Sequence, residues 1–211
     1  MSEQQQPLQD LQHIKKMMER SSRFISLSGL SGIAAGVCAL IGAWFAWKRL
    51  HTTQSEAYDL VRIIETNGTN VLDELFWIAT YTFVGAFISA FFFTYLRSRK
   101  DNVPMFGSTT MRLLWNVAIP MVVGGIFLLH MMNHGEFLLV APGCLIFYGL
   151  ALVNGSKYTL GEIRFLGYGM LALGIMNLWF VGYGLYFWAM GFGILHIVYG
   201  IAMWMKYERN N

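Results

Sequence analysis

Hydrophobic residues in this chain come in long unbroken runs. They do not alternate as in half-buried strands, and they are not confined to one stripe as on water-soluble helices. Crossing about 30 Å of hydrocarbon takes about 20 apolar residues at a rise of about 1.5 Å each. The runs predict six such helices, at 24–47, 75–96, 113–132, 137–153, 165–181 and 184–205. The fourth and fifth are short, and only a glycine-bearing turn, FVGYGLY, separates the last two. The fold class expected is therefore all-α: a polytopic integral membrane protein with six transmembrane helices.

The polar intervals have patterns of their own. In 1–23, Pro7 suits a first helical turn, and Leu8, Leu11, Ile14 and Met18 recur near the helical period with Lys15, Lys16 and Arg20 beside them. This predicts an N-terminal amphipathic helix. It either lies on the inner leaflet or, over residues 1–22, docks a cytosolic protein partner. The interval 48–73 is an external loop; within it 55–66 reads as a short helix with Leu60, Ile63 and Ile64 on one side, ending at Asn67-Gly68. A short cytoplasmic tail, 207–211, closes the chain.

Charge placement orients the helices. Lys15, Lys16, Arg20 and Arg23 precede the first; Arg97, Arg99, Lys100 and Arg112 flank the connection of the second to the third. Lys157 and Arg164 flank that of the fourth to the fifth, while Lys206 and Arg209 follow the sixth. Alternate connections are thus basic and non-basic, which predicts both termini in the cytoplasm. Lys48 and Arg49 dissent, on the expected outer side.

Composition sharpens this picture. Of 211 residues, 55% are hydrophobic and only 13% charged, against about 25% charged in soluble domains. The net charge of +3 forms no Lys/Arg stripe with interleaved aromatics, so nucleic acid is not an expected partner. Cys38 and Cys144 lie inside apolar runs and read as small packing residues. No signal-peptide pattern opens the chain. FYGLAL (147–152) resembles VYGIAM (198–203), a hint that the third and fourth helices duplicate the fifth and sixth.

Candidate sites are few. Ser28, Gly32 and Gly36 recur at intervals of four on the first helix, as in faces that let helices approach closely; this contact is expected within the chain, with a homo-oligomer as the other reading. His196 falls deep in the sixth apolar run, where an ionisable residue is a functional hypothesis by default. At similar expected depth or towards the inner boundary stand Tyr199, Asn116, Ser28, Ser31 and Glu162, predicting an inner-side polar pocket. Its plainer alternative is a neutral histidine hydrogen-bonded to one neighbouring helix. On the outer side His130, Asn133, His134, Glu136 and Asn177 form a polar cluster. This is a vestibule or weak metal site on one reading, and a helix end meeting headgroups and water on the simpler one. His130 and His196 are expected in opposite leaflets, which disfavours a shared haem. No HExxH, GxSxG or Walker-type sequence occurs, and no acidic residue lies within the apolar cores. No catalytic residue, metal or cofactor is expected, and membrane lipids are the first partners to expect.

The stretches MERSSRFISLSGLSGIAAGVCALIGA and LGIMNLWFVGYGLYFWAMGFGILHIVYGIAM resemble an uncharacterised group of small six-helix inner-membrane proteins of bacteria. The resemblance implies a location in the bacterial cytoplasmic membrane and brings no activity with it. The expected function is that of a non-enzymatic sensor, regulator or scaffold. A small channel or facilitator for a neutral or weakly polar solute is the alternative, and a lipid- or quinone-binding membrane enzyme the third reading.

Overall fold

A computed structural model describes residues 28–51, 69–100 and 107–209. The expected amphipathic segment 1–23 and the short helix at 55–66 lie outside the described residues. Within them all regular structure is helical, with no β-strand.

The rods are α1 (Gly29–His51), α2 (Thr69–Lys100), α3 (Ser108–Asn133), α4 (Val140–Gly155), α5 (Ile163–Trp179) and α6 (Gly184–Tyr207). A 3₁₀ turn, Phe137–Leu139, leads into α4. Five rods are long and apolar enough to cross a membrane, and α5, at 17 residues, is the shorter one. α2 outruns its apolar stretch at both ends, from Thr69 to Lys100. Its added last turn carries Arg97, Arg99 and Lys100, cations that suit the negative end of a helix dipole. α6 is composite: α-helical over Gly184–Trp188, π-helical over Ala189–Leu195 and α-helical again over His196–Tyr207.

α1 packs against α2 on one side and α6 on the other, while α4 packs against α3, α5 and α6. Consecutive rods run in opposite directions. Arg97, Ser28 and Glu208 therefore meet at one end of the bundle, and Arg49 and Glu74 meet at the other. The first is the basic end, with Arg99, Lys100, Arg112, Lys157, Arg164, Lys206 and Arg209 on the same side. The second is the hairpin end, holding the α3–α4 and α5–α6 turns.

Glycine sets the closest approaches. A Cβ on Gly200 would stand 2.6 Å from the Gly29 carbonyl oxygen and 2.6 Å from the Ile33 nitrogen. One on Gly36 would stand 2.7 Å from the Gly193 oxygen, and one on Gly32 3.2 Å from the Gly200 Cα. Backbone thus lies on backbone along α1–α6, the arrangement that small residues permit in lipid-embedded bundles. Gly149 and Gly167 do the same between α4 and α5. The core centres on Leu145, Ala151 and Met170, each fully buried. α2 and α3, at the flanks, instead expose large apolar side chains, among them Trp77, Tyr81, Phe87, Trp115 and Ile126.

The α3–α4 turn is closed by backbone alone. The Gly135 N–H donates to Met132 O (3.1 Å) and the Glu136 N–H to Met131 O (3.0 Å), the paired bonds of a Schellman motif. Gly135 sits at φ +84°, the left-handed conformation that such a stop requires.

Candidate functional site

His196 begins the last α-helical stretch of α6 directly after the π turns, and it is only 6% exposed. Its Nδ1 lies 3.0 Å from the Gly191 carbonyl oxygen five residues back, and its Nε2 lies 2.9 Å from the Tyr148 hydroxyl on α4. A carbonyl only accepts, so Nδ1 carries the proton; Nε2 then accepts from Tyr148. The π segment is what brings the Gly191 carbonyl within reach of the ring, and such turns recur at functional positions. Phe192 stacks on His196 (6.0 Å, 17°) and packs against Tyr148 (5.1 Å), while Trp188 packs on Phe192 (5.1 Å). Trp188, Phe192 and His196 make a column at intervals of four.

Towards the basic end the polar groups fall into separate sets. Lys206 Nζ and Tyr207 Oη donate to Glu162 Oε1 at 2.5 and 2.8 Å, joining the start of α5 to the end of α6. Burial pushes the Glu162 carboxyl up, but these hydrogen bonds outweigh it and hold it below its ordinary value. Ser28 Oγ and the Gly29 N–H donate to Glu208, at 3.2 and 2.5 Å, and Arg97 pairs with the same carboxylate at 2.7 Å. Glu208 therefore caps the N-terminus of α1 and ties it to α2 and α6. Ser31 Oγ donates to Ser28 O at 2.5 Å. The Tyr199 hydroxyl is buried and has no hydrogen-bond partner among the described residues.

Asn116 is engaged elsewhere. Pro120, four residues on, has no N–H for the Asn116 carbonyl. Asn154 on α4 supplies a donor instead, at 2.9 Å to that carbonyl and 3.2 Å to Asn116 Oδ1. Of the residues expected in one inner pocket, Ser28 and Ser31 are joined directly, while Glu162 is held by Lys206 and Tyr207 and not by Tyr199. His196 is engaged with Tyr148, and Asn116 with Asn154.

At the hairpin end the His130 and His134 rings meet edge-on at 4.3 Å, both exposed, beside exposed Asn133 and Glu136. Asn177 is fully buried: its Nδ2 donates to Phe180 O at 2.8 Å, and its Oδ1 has no partner among the described residues. Among the described residues no three His, Cys, Asp or Glu side chains are grouped to hold a metal.

The same end holds an apolar cavity of about 270 Å³. α1 contributes Ala43 and Trp47, α2 Phe76 and Ala79, α4 Cys144, and α6 Trp188. Thr82 is among its few polar groups, and its hydroxyl is already spent on Ile78 O at 2.7 Å. The cavity lining is apolar, and an apolar cavity of about 150 Å³ is known to exclude water and take up benzene or xenon. Trp188 belongs both to the cavity wall and to the aromatic column on His196.

The sequence pattern does not mark Tyr148, Trp188, Phe192, Asn154 or Glu208 as site residues, and it marks Arg97 only as a charge at a helix end. Two signals for them exist in the chain. Trp188 and Phe192 precede His196 at helical intervals, and Pro120 follows Asn116 at the spacing that frees a carbonyl.

No known family model, curated protein or solved structure matches this chain.

Proposed function

We propose that this chain is a non-enzymatic multi-pass protein of the bacterial cytoplasmic membrane, acting as a sensor or regulator that takes up an apolar, membrane-resident molecule. Both termini face the cytoplasm, so the basic end lies inside and the hairpin end outside. One observation carries the sensing: the apolar cavity of about 270 Å³ has Trp188 in its wall, and Trp188 connects through Phe192 to the buried His196–Tyr148 pair. An occupant pressing on Trp188 acts beside the π segment, which begins at the next residue, and such turns recur at functional sites.

The test is to purify the protein from membranes in mild detergent and identify the small apolar molecules that accompany it. Ala79→Phe, a filling substitution at an exposed cavity position, is the control. The expected result is a molecule near one per chain in the wild type that is lost in the variant. An empty wild type, or equal retention by the variant, overturns the proposal.

A further inference from the structure

A second concavity lies on the other side of the α1–α2 contact, and its chemistry differs. This groove has a volume of about 590 Å³, within the range of small-molecule sites. Cys38, Phe45, Tyr81 and Gly85 are among its walls, and Lys48 and Arg49 stand at one end. From Cys38 to Lys48 is about 15 Å of helix, which is half of a hydrocarbon core about 30 Å thick. The groove therefore has the length of one leaflet, an apolar body and a head where Lys48 stands beside the Arg49–Glu74 ion pair.

The two cations are held in place. The Lys48 ammonium sits 5.6 Å from the Trp44 ring centroid, and Arg49 is paired with Glu74 across the top of α1 and α2. These are also the two residues that depart from the alternation of basic connections, and the groove gives that departure a use. We propose that the groove is a binding site for an anionic phospholipid of the outer leaflet, one acyl chain lying between Cys38 and Phe45 and the phosphate at Lys48, beside the Arg49–Glu74 ion pair. The inference rests on the membrane placement proposed above but not on the occupant of the apolar cavity.

Gly85 supplies a clean control, because a Cβ there would meet nothing within 4 Å. Gly85→Phe puts a ring into the groove from a position whose Cβ is clear of its neighbours. The protein is reconstituted in nanodiscs of phosphatidylglycerol and phosphatidylethanolamine at equal amounts, then released into mild detergent for native mass spectrometry of retained lipid. The wild type should retain phosphatidylglycerol in about fivefold preference, the factor expected for one favourable cation near an anionic headgroup. Lys48→Gln should bring the two lipids to parity, Lys48→Arg should keep the preference, and Gly85→Phe should remove the retained lipid. Equal retention of both lipids by the wild type, or an unchanged preference in Lys48→Gln and Gly85→Phe, overturns the site. A chain recovered in the soluble fraction without detergent would instead overturn the membrane placement beneath it.

Discussion

α1 takes part in two seams built on different principles. Against α6 it presents Gly29, Gly32 and Gly36 to backbone atoms of Gly193, Gly200 and Trp204. Against α2 its closest glycine contact is with a side chain: a Cβ on Gly42 would fall 2.0 Å from Thr82 Oγ1. The first seam is continuous and is latched at the basic end by Glu208 on Ser28 and Gly29. The second has open space on both sides, the apolar cavity and the groove headed by Lys48, and Gly42 and Thr82 line both. A helix pair that meets backbone to backbone leaves no room for a ligand; a pair held at a side-chain point leaves room around it. Open space in this molecule follows the looser seam.

The largest expected effect breaks the tighter seam. In Gly200→Ala the added carbon meets Gly29 O and Ile33 N, neither of which can rotate away. Overpacking of this kind costs about 3 kcal/mol or more when backbone must shift. A large loss of thermal stability in detergent is expected. Gly85→Ala, in open space, should be neutral or slightly stabilising through its better helix propensity. Similar stabilities for the two variants would mean that α1 and α6 are not in backbone contact.

The looser seam should behave differently because its obstruction is a side chain. Gly42→Ala is expected to cost about 1–2 kcal/mol, and trimming the neighbour in Gly42→Ala/Thr82→Ala should recover most of it. Trimming Ile33 to Ala should not rescue Gly200→Ala, since the Gly29 carbonyl stays in the way. The two double-mutant cycles, read by unfolding in detergent, contrast the seams directly. Equal coupling in both would erase the distinction.

A smaller effect is expected at the latch. Glu208→Ala removes the acceptor for Ser28 and Gly29, while Arg97 keeps its hydrogen bond to the Tyr207 carbonyl at 3.3 Å. Loss of a helix cap costs about 1 kcal/mol. Hydrogen exchange should rise in the first turn of α1 and the last of α2, with the hairpin end unchanged. Uniform loosening of the whole bundle would argue against a local latch.

The uneven legibility of this molecule in its sequence has the same physical origin. Apolar length and charge at run ends report what each helix meets along its axis, so the helical class and the antiparallel order are readable. Which face of a helix meets which neighbour is not. α2 is apolar around its circumference, with Phe76, Trp77, Phe83, Val84, Phe87 and Ile88 all exposed, so no stripe marks the side that touches α1. Glycine is informative only by partner: a Cβ at Gly125 would meet nothing within 4 Å, while one at Gly174 would stand 2.7 Å from Ile146 Cγ1. His196 stood out as an ionisable residue in an apolar run. Its partner Tyr148 did not, because a tyrosine within FYGLAL is ordinary until a π turn on another helix brings His196 to it.

The smallest expected effect separates the two ends of the bundle by pH. Glu162 is held below its ordinary carboxylate value by the donors of Lys206 and Tyr207, against an opposing burial. A carboxyl depressed on folding contributes stability that is fully present above its unfolded value, about 4.3, and is lost as pH falls through the lower folded value. Between neutral pH and 5 the α5–α6 link at the basic end should therefore be constant, and it should weaken only below about 4. Hydrogen exchange, corrected for its intrinsic pH dependence, should then rise at the first turn of α5 in the wild type. Glu162→Gln keeps acceptor geometry without a titrating proton and should show a flat profile, already slightly loosened at neutral pH. A wild-type profile as flat as that of the variant would mean that the Lys206–Glu162–Tyr207 set contributes no pH-dependent stability. The basic end would then be held by the Glu208 cap and the α1–α6 glycine contacts, with no titratable link between α5 and α6.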